Sequence, residues 1–318
     1  MPTRRLSIGV VLLVALAAAA SSSAACSGSG APAKRARPLV GVAFLTQTHA
    51  FYKELEVAMR EQAQVRQIDL VVVSCEMDPA RQAAQIEDFI TQRVDAILAA
   101  PCDSTAIVPY LQKADEAHIP VFTADIAAHG GKVVSHIASD NLDGGRIAAR
   151  TLAGLIGGKG DVIIIDHPEV ASVQDRTRGF DEVMKTYPDI HIVGRPSASG
   201  QRAKAMAIAE DMLQANRHLK GIFGINDDSA LGALAVLEAA KRTDVVIVGF
   251  DATTEAQEAI RRGSALKADI MQHPTDIGRT AIDMIADHLA GKPVPPVVAV
   301  PVNVVTAETL AGSKTRAR

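Results

Sequence analysis

Two polar residues stand where apolar runs end, and their side chains could bind a small molecule. Asn226 follows the apolar run 222–225, and Asp251 follows the run 245–250. After Asn226, apolar residues recur at helical spacing up to Leu237. A short apolar strand that leads through a polar residue into a helix is one βα step of a parallel sheet. Ligands of such sheets bind outside the carboxyl ends of the strands, so Asn226 and Asp251 are our first candidates for a binding site.

The same alternation of apolar runs and amphipathic segments extends over most of the chain. We predict strands at residues 39–45, 70–73, 96–99, 121–123, 133–137, 162–165, 190–194, 222–225, 245–250, 266–271 and 297–302. We predict helices at residues 51–67, 79–93, 141–155, 173–187, 203–215, 228–241, 254–261 and 276–290. Two βα runs of similar size, joined near Ser139, predict an α/β fold with parallel sheets and right-handed crossovers.

Composition limits the class of protein. The 318 residues are enough for two domains of ordinary size, and 48% of them are hydrophobic. Aromatic residues make up 3% of the chain and tryptophan is absent, which suits layers packed with small aliphatic side chains. The formal net charge is −3, and no block of basic residues stands beside aromatic ones. We therefore expect no nucleic-acid partner.

The first residues are typical of an export signal. Arginines near the start precede the apolar segment 8–20, which is short for a membrane span, so we predict a signal peptide over residues 1–25. The residues up to Cys26 resemble a bacterial lipoprotein cleavage site, which predicts lipidation of Cys26; ordinary cleavage near Ala25 is the alternative. Residues 26–38 read as a flexible tether. We expect the mature protein in the periplasm or on the outer face of the membrane, with a lipid anchor if Cys26 is modified.

The two remaining cysteines follow different predicted strands. The strands before Cys75 and Cys102 would flank the first strand, which separates them by about 9–10 Å, whereas a disulfide needs Cα atoms about 4.4–6.8 Å apart. We therefore expect two free, buried thiols, although an exported chain could pair them.

Several motifs resemble one known family. They are VVSHIASDN at residues 133–141, DRTRGF at 175–180, INDDSALGAL at 225–234 and the strand Val246–Asp251. Here the chain is similar to the periplasmic sugar-binding proteins of ABC transporters, of the ribose-binding type, whose fold is shared by the effector domains of LacI-like repressors. The resemblance covers the chain from Leu39 to about Leu310. The export signal favours the binding proteins over the repressors.

The resemblance implies a type I periplasmic binding protein: an α/β fold of two Rossmann-like lobes with parallel sheets, joined by a three-strand hinge. The N-terminal lobe would comprise residues 39–139 and 274–302. The C-terminal lobe would comprise residues 140–273 and 303–312, followed by a tail at 313–318. The chain would cross between the lobes near Ser139, near Gln272 and His273, and near Val302.

Positions that match the family's ligand contacts retain hydrogen-bonding and aromatic side chains, which suit a neutral carbohydrate or polyol. Asp125 and Asn226 could instead only cap a turn or helix, and Arg176 could be structural. One of the two aromatic residues could belong to the core, and the histidine could face solvent. The predicted ligand-binding residues are His49, Phe51, Tyr52, Asp125, Gln174, Arg176, Asn226, Asp251 and Gln272.

Departures from the family pattern bear on the ligand. A sugar-clamping arginine of the family is Ile126 here, and another arginine is Gln174. The stacking aromatic expected at residues 199–200 is Ser199-Gly200, and Leu45 and His49 replace a serine and an asparagine. These departures favour a small or linear polyol, or an unusual furanose, over an ordinary aldopyranose.

The sequence bears on three classes of function. An enzyme is not expected, because the sequence has no G-x-S-x-G motif, no paired-histidine metal motif and no phosphate loop. We expect no cofactor and no metal. The favoured hypothesis is a monomeric solute-binding protein that delivers a sugar or polyol to the membrane subunits of an ABC permease. The alternative is a sensory binding protein that presents such a ligand to a chemoreceptor or histidine kinase.

Overall fold

The computed structural model of the protein describes residues 35–316, and the side chains up to residue 312. The predicted signal peptide, the lipidation site Cys26 and most of the tether lie outside the described residues. In the part of the chain that is described, no helix has the length and apolarity needed to span a membrane.

The first sheet has six parallel strands in the order β11-β5-β4-β3-β1-β2. Its strands are β1 (Leu39–Phe44), β2 (Asp69–Ser74), β3 (Ala96–Ala99), β4 (Val121–Ala124), β5 (Ser135–Ser139) and β11 (Val297–Val300). The helices between them are α1 (Ala50–Arg66), α2 (Pro79–Thr91) and α3 (Val108–Glu116). The helix start predicted at Asp78-Pro79 is confirmed, because the Asp78 carboxylate accepts the amides of Ala80 and Arg81.

The second sheet repeats the plan in the order β12-β10-β9-β8-β6-β7. Its strands are β6 (Gly160–Ile165), β7 (Ile190–Gly194), β8 (Leu219–Gly224), β9 (Val246–Asp251), β10 (Leu266–Met271) and β12 (Asn303–Thr306). Neighbouring strands are parallel except β12, which is antiparallel to β10. The remaining helices are α4 (Asn141–Leu155), α5 (Ala171–Met184), α6 (Arg202–Ala215), α7 (Asp227–Ala239), α8 (Thr254–Arg261), α9 (Pro274–Leu289) and α10 (Ala307–Arg316). The predicted α/β class with two parallel-sheet halves is confirmed.

The chain passes between the two sheets three times: from β5 into α4, from β10 into α9, and from β11 into β12. The last passage corrects the single strand predicted over residues 297–302. Pro301 lacks a backbone N–H and cannot continue the ladder, so the strand ends at Val300 and a new one begins in the other sheet. Hydrogen bonds connect the passages. The Asp140 amide donates to the Val300 carbonyl oxygen at 2.9 Å, which joins the first passage to the third, and the His273 ring lies 3.0 Å from the Asn303 side chain, which joins the second to the third.

The prediction of free thiols is wrong, since Cys75 and Cys102 form a disulfide with Cα atoms 7.0 Å apart. The prediction used the spacing between strands, but both cysteines lie beyond the strand ends. There the loops after β2 and β3 fold over the end of β1, and both sulfur atoms lie within 3.9 Å of the Leu45 carbonyl oxygen.

Candidate functional site

A cleft lies between the carboxyl ends of the two sheets. Three adjoining cavities in it are each lined by both Phe51 and Asp251. The central cavity is open to solvent, and the space in and in front of it amounts to about 400 Å³. Eight of the nine predicted ligand-binding residues line this central cavity: His49, Phe51, Tyr52, Asp125, Arg176, Asn226, Asp251 and Gln272. The structure therefore brings these eight together, while their role in binding stays a prediction.

Gln174 is the predicted residue that does not line the three cavities. Gln174 lies on the first turn of α5, and its side-chain amide donates to the carbonyl oxygen of Pro168 at 2.7 Å. Arg176, two residues later in the chain, lies on the other side of this helix and faces the cleft. The helical rotation of about 100° per residue separates the two side chains.

Asp125 and Tyr52 form the polar pair on the first-sheet side of the cleft. Asp125 follows β4 with a φ of 65°, and the Tyr52 hydroxyl donates to its Oδ2 at 2.6 Å. Burial raises the pKa of Asp125, although Arg176 and the Tyr52 hydrogen bond oppose the rise. Burial and the charge of Asp125 raise the pKa of Tyr52 well above its usual value, so the phenol stays a donor. The remaining oxygen of Asp125 can accept a hydroxyl from a ligand.

Asp251 and Gln272 form the corresponding pair on the second-sheet side. Gln272 donates its side-chain amide to Asp251 Oδ1 at 2.7 Å, and the Asp227 amide donates to Oδ2 at 3.3 Å. Burial and the neighbouring charge of Asp227 raise the pKa of Asp251 to about 7. Near neutral pH this carboxyl group can therefore either accept from or donate to a hydroxyl group.

Asn226 both caps a helix and lines the cleft. Its Oδ1 accepts the amide of Ser229 at 2.9 Å, which is the capping role weighed as the alternative. Its Nδ2 donates to the Gly200 carbonyl at 3.2 Å and borders the central cavity. The amide can therefore contact a ligand through its donor side while its oxygen holds the start of α7.

Arg176 carries a buried positive charge into the cleft. Its Nε donates to Asn141 Oδ1 at 2.8 Å and its Nη1 to the Ile225 carbonyl at 2.7 Å. The guanidinium carbon lies 3.8 Å from the centre of the Phe250 ring, a cation–π contact. Burial lowers the pKa of Arg176, but the charges of Asp251 and Asp125 oppose this change.

The position of Arg176 depends on how closely α4 approaches α5. Gly145 of α4 and Gly179 of α5 lie where the two helix backbones meet. A Cβ atom at either position would collide with a carbonyl oxygen of the opposite helix, that of Arg176 or of Leu142. The two glycines thus let the helices pack together and place Arg176 against Asn141.

His49 makes an ion pair from the first-sheet side to the second. Its Nε2 lies 3.0 Å from Oδ2 of Asp228 on α7. Burial alone would lower the pKa of His49, but the hydrogen bond and charge of Asp228, with Asp251 and Asp125, raise it. Burial would likewise raise the pKa of Asp228, but His49 and Arg202 lower it. Arg202 in turn makes two hydrogen bonds of 2.8 Å to Glu255.

Some residues of the cleft were not predicted from the sequence. His167 follows β6 and lines the central cavity, and burial lowers its pKa. The strand-end pattern that identified Asp251 points here to Asp166, the residue before His167. Asp227 and Asp228 were interpreted only as acidic residues of a first helical turn, yet both line the cleft. Their roles depend on partners from distant strands and loops, which spacing along the chain does not reveal.

Comparisons with known proteins identify the family of the chain. Residues 40–293 match the periplasmic binding protein domain family. The ribose import binding protein of Bacillus subtilis strain 168 is 30% identical over 302 residues, covering 95% of this chain and 97% of that protein. A solved ABC transporter solute binding protein from Mycobacterium smegmatis, with bound glycerol, is 31% identical with a TM-score of 0.82, covering 87% of this chain and 96% of that one. Another, from Actinobacillus succinogenes 130z with bound D-allose, is 29% identical with a TM-score of 0.80, covering 87% of this chain and all (100%) of that one.

Proposed function

The chain belongs to the periplasmic binding protein domain family, and we propose that it captures a sugar or polyol in its cleft and delivers it to an ABC permease. The observation that carries the proposal is the central cavity, which is lined from both sheets by hydrogen-bonding side chains. Relatives named as binding proteins of import systems support the transport role.

The arrangement of polar groups suits a ligand with several hydroxyl groups. Asp125 with Tyr52 faces the cavity from one side, and Asp251 with Gln272 faces it from the other. A hydroxyl group donates and accepts at once, so carboxylates and amides on opposite walls can bind neighbouring hydroxyls of one molecule. Phe51 adds an aromatic surface for the ligand's C–H groups.

We further propose that the preferred ligand is small or linear, or a furanose. Ile126 and Gly200 line the cavity where the family has a clamping arginine and a stacking aromatic residue. A Cβ atom at Gly200 would lie 3.2 Å from Asn226 Nδ2, and its φ is +65°, so the position is narrow and strained for a side chain. The cavity therefore has an apolar side chain, Ile126, and a residue without a side chain, Gly200, at the two positions where the family contacts a pyranose ring.

Release and capture would follow from hinge motion between two lobes. We propose an N-terminal lobe of residues 39–139 and 274–302 and a C-terminal lobe of residues 140–273 and 303–312, with residues 313–318 as a tail. The three chain passages near residues 139, 272 and 302 are short and hydrogen-bonded to each other, which suits a hinge. The ligand would favour the closed form because only that form contacts it from both sides.

Export and anchoring complete the proposal. The protein would act outside the cytoplasmic membrane as a monomer, attached through a lipid on Cys26 or released after cleavage near Ala25. Mass spectrometry of the mature N-terminus distinguishes the two: a diacylglyceryl-modified Cys26 supports the anchor, and an unmodified N-terminus refutes it.

The test of binding uses a thermal-shift panel of sugars and polyols, together with mass spectrometry of ligand released from the purified protein. A member of the panel should raise the melting temperature and bind in titration calorimetry. Asp251→Ala should weaken this binding roughly 10- to 100-fold, because a hydrogen bond to a charged group is lost. The matched control is Asp211→Ala, which removes an exposed carboxylate on α6.

Three outcomes would contradict the proposal. Unchanged affinity in Asp251→Ala would remove this residue from the site. Tight binding of standard pyranoses alone would refute the preference for a small or linear ligand. Consumption of the ligand during the assay, followed by NMR of the ligand, would show an enzyme rather than a binding protein.

A further inference from the structure

Two buried carboxyl groups lie behind Asp251, and binding of a ligand does not itself require them. Asp269 on β10 is fully buried and Asp227 at the start of α7 is 4% exposed. Asp227 borders the cleft next to Asp251, but neither carboxyl group lines the central cavity. Their location suggests that they act on Asp251 rather than on the ligand.

Each of the two carboxyl groups uses one oxygen to hold the turn after β9. Asp269 Oδ1 accepts the amide of Ala252 at 2.9 Å. Asp227 Oδ2 accepts the amide of Thr253 at 2.7 Å, and its own amide donates to Asp251 Oδ2. The two side chains therefore hold two successive residues of the turn, Ala252 and Thr253, and the backbone amide of Asp227 holds the Asp251 carboxyl group.

The turn needs this support because its backbone is strained. Asp251 has a φ of 120° and Ala252 a φ of 54°, both in a region that residues with side chains rarely adopt. Such conformations are unfavourable and persist only where the surrounding structure imposes them. The strained turn aims the Asp251 carboxyl group into the cleft.

The other two oxygens of the pair have no donor. Asp227 Oδ1 and Asp269 Oδ2 are both inaccessible to solvent and lack a hydrogen-bond partner in the described part of the chain. Gly249, opposite Asp269 in the sheet, leaves the room for Oδ2, because a Cβ atom there would collide with it. Two carboxylates buried side by side would repel each other, and a proton between these two oxygens would satisfy both.

We propose that Asp269 and Asp227 share one proton, and that this carboxylic acid–carboxylate pair positions Asp251 for the ligand. The positioning role depends on the function proposed above; the shared proton does not. The acid O–H of Asp269 donates to Asp227 Oδ1, while the outer oxygens hold the turn.

The electrostatics of the surroundings agree with this assignment. Burial and the charge of Asp227 raise the pKa of Asp269 well above its usual value. Burial raises the pKa of Asp227 to about 6, against the hydrogen bonds from Asp269 and Thr253. The other charged groups that face the pair are Asp251 at the end of β9 and Arg176 on α5, with Asp228 next to Asp227 on α7. The proton therefore resides on Asp269 at neutral pH.

Infrared spectroscopy of the ligand-free protein tests the shared proton directly. At pH 8, above the pKa of about 7 of Asp251, the wild type should show the C=O stretch of one protonated carboxylic acid. Asp269→Asn should lack this band and Asp251→Asn should keep it. A wild-type spectrum without the band, or a band that survives in Asp269→Asn, would overturn the proposal.

Ligand affinity and amide exchange test the positioning role. The side-chain amide introduced by Asp269→Asn would still donate to Asp227 and accept from Ala252, so this variant should bind within about threefold of the wild type. Asp269→Ala removes both contacts and should bind roughly 10-fold more weakly or worse. His49 and Asp251 titrate in both proteins, so the informative quantity is the ratio of the Kd of the wild type to that of Asp269→Asn. This ratio should rise at alkaline pH, because only the wild type loses the proton of Asp269. A ratio that stays constant up to alkaline pH would refute the role.

The two proposals fail in different ways. If no sugar or polyol binds the wild type, the infrared band still decides the shared proton. Hydrogen exchange of the Ala252 and Thr253 amides then tests whether the two carboxyl groups hold the turn after β9. Both amides should be protected in the wild type and in Asp269→Asn, and exchange faster in Asp269→Ala, or in Asp227→Ala if that variant folds better. Equal protection in all variants would show that the pair does not hold the turn.

Discussion

The ion pair between His49 and Asp228 should make ligand affinity depend on pH. Its partners come from opposite sides of the cleft and lie 3.0 Å apart, so opening of the cleft by the proposed hinge motion would break the contact. With the contact made, the pKa of His49 is raised from its usual 6.5. A raised pKa means that the stabilisation is fully present below the open-form pKa and is lost as the pH rises through the closed-form value.

The magnitude follows from the burial of the pair. The side chains of His49 and Asp228 are 13% and 26% exposed, so the pair is only partly screened by solvent. A charged hydrogen bond of this kind contributes about 1 kcal/mol, near the upper end for exposed pairs, and this corresponds to roughly fivefold in Kd. His49→Gln keeps a neutral donor and should lose this contribution.

Titration calorimetry between pH 5.5 and 8.5 measures the effect. Asp251 also titrates in this range, so the informative quantity is the ratio of the Kd of His49→Gln to that of the wild type. This ratio should be about five at low pH and approach one at high pH. The control is His129→Gln, which replaces an exposed histidine and should give a ratio of one throughout. A His49→Gln ratio that is constant with pH would refute the reasoning.

Two further predictions concern the loops that border the cleft. Replacing Cys75 and Cys102 together by serine removes a link across a sequence separation of 27 residues. The free energy of unfolding, measured in urea, should fall by about 3–4 kcal/mol. A reductant should destabilise the wild type equally and leave the variant unchanged, and equal stability of the two proteins would contradict the disulfide. The Ser104 hydroxyl accepts the Ala171 amide at 2.9 Å, and the Ser104 amide donates to the Glu169 carbonyl oxygen across the cleft. Ser104→Ala should therefore weaken ligand binding about fivefold, with little change in the unfolding of the ligand-free protein. Unaltered affinity would show that this contact does not stabilise closure.

Local sequence patterns were sufficient to predict the helices and strands and to identify the family. Apolar runs and helical spacing are properties of neighbouring residues, which is why β3, β7, β10, α4 and α8 begin and end where the sequence predicts. The resemblance to the periplasmic binding proteins was predicted from four motifs, and it is confirmed by the match over residues 40–293. Residues at strand ends, such as Asp125 and Asp251, could be predicted as cleft residues, because parallel strands bring their carboxyl ends to one edge of a sheet.

The same patterns did not predict contacts between residues that are distant in the chain. The disulfide depends on how two loops fold beyond their strands, and the spacing of the strands gave the wrong answer. Gln174 and Arg176 are two residues apart, and only the packing of α5 against α4 decides that Arg176 alone enters the cleft.

The amino-acid sequence by itself thus determined the α/β alternation, which follows from short-range periodicity. Its resemblance to a known family pointed to eight residues that line the central cavity. The tertiary structure decided which of those residues pair. The contacts of His49 with Asp228 and of Asp227 with Asp269 join segments separated by long stretches of chain. Burial then sets their charge states, since a carboxyl group's pKa depends on the solvent and charges around it rather than on its neighbours in sequence.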